Sequence, residues 1–139
     1  MKKVCIALLF TFYSVVLTFA INPKEIRDIM DKTQANVGDA LYLITSFDQE
    51  NITPEQIDIK NNPRLLILKK DSPLDVGSFS IIAIELKKVK GGLLYQITGF
   101  SKYAAESLVY EQIIPAGTFW NRILSGKELV EFATALRVQ

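Results

Sequence analysis

Apolar positions recur along this chain in two rhythms, and each rhythm predicts its own kind of element. Ile26, Ile29, Met30, Thr33 and Val37 fall at helical spacing, giving one apolar stripe. Asn22 can cap that segment, Pro23 suits a first helical position, and Glu25 stands three residues after the cap. The spacing predicts a helix from about Pro23 to Val37, stopped by Gly38. At the other end, Ser125 and Glu128 form a capping pattern, and Leu129, Phe132, Ala133 and Leu136 follow at helical spacing. A helix therefore closes the chain.

Between these helices the pattern reads as strands. Ala40 to Phe47 is almost wholly apolar and β-rich, as a buried strand would be. Asp48 to Asn51 reads as a turn, and Thr53-Pro54 as the start of a short helical turn. Arg64 to Lys70 reads as a strand, and Phe79 to Lys88 as a central one. Lys90-Gly91-Gly92 reads as a hairpin turn that sends Leu93 to Lys102 back antiparallel, with Gly99 at a bulge. Glu106 to Ile114 alternates again, and Pro115 ends it. The fold class expected is α+β: a mainly antiparallel sheet of about four to five strands, with an N-terminal and a C-terminal helix packed on it.

The first twenty residues have a different character. Lys2-Lys3 precede an apolar run from Val4 that ends at Thr18-Phe19-Ala20. That is the layout of a secretory signal, cleaved near Ala20. An uncleaved anchor through residues 4–21 is the alternative, which would tie the chain to a membrane, facing outside the cytosol. Residues 1–20 are thus read as the signal peptide and residues 21–139 as one domain, secreted or periplasmic. Cys5 opens the apolar run rather than following it, which argues against lipidation.

Composition narrows the chemistry. Without residues 1–20 the chain carries 14 basic against 15 acidic side chains, a net charge of −1. A nucleic-acid surface would be basic, so no nucleic-acid partner is expected. The single Cys lies in the leader and the chain has no His. Imidazole-based triads, thiol nucleophiles, disulfides and the usual zinc ligands are all missing, and no metal or cofactor is expected. Carboxylates are the remaining acid–base candidates, Glu85 and Glu111 foremost. Glu85 interrupts an apolar segment; it needs a partner if buried and is plain surface if exposed.

Gly117 to Lys127 lacks phosphate-loop spacing, with Glu128 where Ser or Thr would stand. Asp28 with Asp31 and Glu128 with Glu131 read as solvated helix faces. Lys87, Lys88 and Lys90 read as a solvated turn. Asn51-Ile52-Thr53 is a sequon weakened by Pro54. Gln34-Ala35-Asn36-Val37-Gly38 resembles the Gln-x-Val-x-Gly loop of cystatins with the Val one place late, and no family is adopted on so short a match.

Phe119-Trp120-Asn121-Arg122 follows Pro115 and Gly117 in a loop. Aromatics with Arg are enriched in recognition hot spots, and the same aromatics could instead plug one end of the sheet. Tyr103 could join them. The binding residues expected are Phe119, Trp120, Arg122 and Tyr103. The function expected is an exported, non-enzymatic domain that binds a protein partner or takes part in envelope assembly. The alternatives are a carrier of a small apolar ligand and a carboxylate enzyme.

Overall fold

The computed structural model describes residues 22–47, 59–86 and 88–138. The leader, the 48–51 turn, the helical turn at Thr53 and the sequon lie outside the described residues.

The described residues fold as helices: α1 (Pro23–Met30), α2 (Val37–Ser46), α3 (Pro63–Leu66), α4 (Val76–Glu85), α5 (Leu93–Thr98), α6 (Ser101–Tyr110) and α7 (Gly126–Val138). Among them there is no strand, only the isolated antiparallel bridges Asn36↔Pro73 and Asp75↔Ile123. The expected antiparallel sheet is therefore corrected to a helical domain.

The cause is burial. α4 is the central helix, packed against α2, α3 and α6. Val76, Phe79, Ser80, Ile81, Ile82 and Ala83 are all buried, so its sequence is apolar on every side. A short apolar run of this kind carries no period that separates a buried strand from a buried helix. α2 is the same case, with Ala40 through Ile44 continuously buried. What decides for helix is capping. Asp75 Oδ1 accepts from the Ser78 N–H at 2.6 Å at the head of α4. At the head of α2, Asn36 Oδ1 accepts from the Asp39 N–H at 2.8 Å, and Asp39 Oδ2 accepts from the Asn36 N–H at 3.0 Å.

That reciprocal cap also splits the first expected helix. α1 ends at Met30, residues 31–36 form a turn and lead-in, and Val37 opens α2 instead of closing α1. Lys90-Gly91-Gly92 is a connector between helices rather than a hairpin. Gly99 is the left-handed cap of α5, φ 70°, its N–H donating to Tyr95 O at 2.7 Å. The closing helix keeps its expected cap: Ser125 N–H donates to Glu128 Oε2 at 3.0 Å, and Glu128 N–H donates to Ser125 Oγ at 3.3 Å.

Three lead-in segments, one each before α2, α4 and α7, are laced by backbone hydrogen bonds. Ala35 N–H donates to Leu124 O, Leu124 N–H to Leu74 O, and Leu74 N–H to Ala35 O, all within 2.8–2.9 Å. Leu74 and Leu124 are fully buried at this junction. α7 covers one side of the core, where Phe132 meets Phe79 with ring centroids 5.9 Å apart. α1 packs on α7.

Candidate functional site

The loop from Glu111 to Ser125 begins with a tight turn. Gln112 has φ 60°, and Ile113 N–H donates back to Leu108 O at 2.9 Å, which closes α6 in a Schellman arrangement. Ile113 and Ile114 then bury themselves and root the loop. Further on, the loop backbone satisfies amides that the head of α4 leaves open. Val76 N–H donates to Arg122 O at 3.0 Å and Gly77 N–H to Trp120 O at 2.7 Å. Gly77 is required there, because a Cβ would stand 3.2 Å from Trp120 O and 2.7 Å from Ser101 Cβ.

With the backbone pinned inward, the side chains point outward. Phe119 is 74 % exposed, and Trp120 and Ile123 are each 40 % exposed. The idea of aromatics plugging an open sheet end therefore fails. Arg122 is held against the first turn of α7, its Nη1 donating to Glu128 Oε1 at 2.6 Å. Burial acts to raise the Glu128 carboxyl, and the Ser125 N–H with the Arg122 guanidinium outweighs it, leaving that group below the usual carboxylate range. Tyr103 sits on α6, half-buried and stacked on Phe100 with centroids 6.4 Å apart. Ser101 and the Trp120 carbonyl both abut Gly77, so the first turn of α6 and the aromatic loop meet at one corner.

Sequence reasoning missed a second exposed surface. Leu93, Leu94 and Ile97 on α5 are 71, 54 and 72 % exposed, and Phe100 and Tyr110 are 65 and 85 % exposed. In a strand Leu93, Tyr95 and Ile97 would share one face. In the helix Tyr95 turns inward and its neighbours turn out. A surface cleft of about 550 Å³ runs between α5 and α6, with Leu93, Leu94, Tyr103, Glu106 and Tyr110 among its walls.

α5 is held by a polar cluster around Glu85. Glu85 Oε1 accepts from Tyr95 Oη at 2.6 Å and from Arg64 Nη1 at 3.1 Å; Oε2 accepts from Asn62 Nδ2 at 2.7 Å. Arg64 also donates to Gln96 O at 3.1 Å and lies over the Tyr95 ring, 4.8 Å from its centroid. Burial acts to raise the Glu85 carboxyl, and the donors Tyr95, Asn62 and Arg64 together hold it below the usual range. Burial and the adjacent carboxylate push the Tyr95 phenol well above its ordinary value. A carboxylate engaged by three donors on its own chain is arranged to fix helices. Glu111, the other carboxylate candidate, lies on the wall of the α5–α6 cleft.

Among the described residues no group of three metal-ligating side chains comes together, and no helix is long and apolar enough to cross a membrane. Comparison with protein families, with curated proteins and with solved structures finds no match.

Proposed function

We propose that this chain is an exported, non-enzymatic domain that binds a protein partner through the loop carrying Phe119, Trp120 and Arg122. The observation that carries the proposal is the pairing of rigid backbone with exposed aromatic side chains. Trp120 O and Arg122 O are tied to the head of α4, while Phe119 and Trp120 face solvent. Large aromatic groups presented without freedom to rearrange lose little entropy on binding, which is how hot spots concentrate affinity. Export is supported by the basic, apolar and small-residue layout of residues 1–20. The non-enzymatic reading is supported by the lack of His in the chain and of Cys after residue 5, and by the structural engagement of Glu85.

The test is capture of crosslinked partners from the native compartment by the wild-type chain and by the Phe119→Ser/Trp120→Ala double variant. Both side chains are exposed, so circular dichroism should be unchanged. The wild type should capture a specific protein, and the double variant should bind it at least about tenfold more weakly. Capture undiminished in the variant, or no captured protein from the wild type, overturns the proposal.

A further inference from the structure

We infer that the outer face of α5 and α6 is a two-fold interface on which a second copy of this chain docks. The face is apolar along its centre: Leu93, Leu94, Ile97, Phe100 and Tyr110 are each more than half exposed. Isolated exposed apolar residues need no explanation, but a contiguous set on two adjoining helices marks an interaction surface.

The charges on the face indicate what covers it. Lys102 and Glu106 stand one turn apart on the exposed side of α6, with the Lys102 Nζ 5.9 Å from the centroid of the half-buried Tyr103 ring. Lys90 and Glu111 add one charge of each sign on the wall of the adjoining cleft. A balanced rim suits neither an anionic bilayer nor a strongly charged partner. It does suit its own image, because an isologous contact sets each residue of one copy against a different residue of the other. Turn a second copy by half a rotation about an axis that passes midway between Lys102 and Glu106, so that the two α6 helices run antiparallel. Its Glu106 then opposes Lys102, its Lys102 opposes Glu106, and the apolar side chains of the two α5 helices and Phe100 cover one another. The α5–α6 cleft offers room for an apolar side chain of the second copy.

The experiment is light scattering and sedimentation equilibrium on the exported protein at ~10–100 µM, the range that resolves a micromolar dimer. A concentration-dependent dimer is expected. Lys102→Glu alone and Glu106→Lys alone should each weaken it at least about tenfold, since each change removes a charge pair twice. The double swap Lys102→Glu/Glu106→Lys should restore it. Ile97→Glu, at an exposed position, should abolish it with the helical spectrum intact. A monomer throughout this range overturns the inference. So does a dimer indifferent to Ile97→Glu, or one that the double swap fails to rescue. None of these outcomes depends on partner capture through Phe119 and Trp120.

Discussion

Glu85 shows how one side chain settles the placement of an element. It lies in the last turn of α4, where a negative charge faces the negative end of the helix dipole. Alone there it would be unfavourable; with Asn62, Arg64 and Tyr95 donating to it, it becomes the point on which α3 and α5 meet α4. Sequence inspection could single out Glu85 as a charge inside an apolar run. It could not find the partners, which lie 10 to 23 residues away. Because the folded carboxyl titrates below its unfolded value, its stabilisation is complete above that unfolded value, about 4.3, and fades as pH falls through the lower folded one. Tyr95 works in the opposite sense. Its contribution is complete below its unfolded value, about 10, and fades as pH rises beyond it. Glu85→Gln keeps the shape but sets an amide N–H among donors, and should cost about 1–2 kcal/mol at pH 7. Denaturant melts from pH 2 to 7 check this: the gap between wild type and variant should narrow toward the acid end. A constant gap would mean the charge contributes nothing.

At the scale of elements, the closing helix was legible from its one-sided stripe and capping pattern, and the first helix only at its capped start, since it ends at Met30 and Val37 belongs to α2. The middle of the chain was not. α2 and α4 are covered on nearly all sides, so their β-branched and aliphatic residues carry no helical period. α5 and α6 misled in another way. Leu93, Leu94, Ile97 and Tyr110 are exposed while Tyr95 and Leu108 are buried, which breaks the assumption that an alternating apolar set faces a core. The signals that identify helices here are the cap residues Asn36, Asn62 and Asp75, each one to three residues before an apolar run. Capping therefore has energetic consequences at α4. Asp75→Ala removes the acceptor for the Ser78 N–H at the central helix and should destabilise the domain by about 1 kcal/mol, up to roughly 2. Urea denaturation checks it: the midpoint should fall with an unchanged slope. The candidate loop was legible as residue types, Phe119, Trp120 and Arg122, but the anchoring of its backbone was not, since the head of α4 that holds it begins more than forty residues earlier.

For the whole molecule, the order of the chain matters less than the places where distant segments close on one another. The lead-ins to α2, α4 and α7 share one hydrogen-bonded junction, so the start, middle and end of the domain are tied at a single point. The tightest approach lies beside it. Gly126 opens α7 with its N–H donating to Lys32 O at 3.0 Å, and a Cβ there would collide with the carbonyl of Ile29 at the end of α1. Neither backbone can retreat freely: Ile29 is buried in the core, and the residue two before Gly126 is locked in the junction. A methyl group at this point must therefore push α1 away from α7 or distort the first turn of α7. Overpacking of this kind costs about 1–3 kcal/mol where side chains can adjust, and backbone on both sides places Gly126→Ala at the upper end. For a domain of this size, about 2–3 kcal/mol lowers the melting temperature by roughly 8 °C or more. Calorimetry discriminates the two ways the molecule can respond. If the junction makes α1 and α7 part of one cooperative unit, Gly126→Ala should shift a single transition downward with its sharpness retained. If α1 is an appendage, the main transition should stay in place and only the exchange protection of α1 amides should fall.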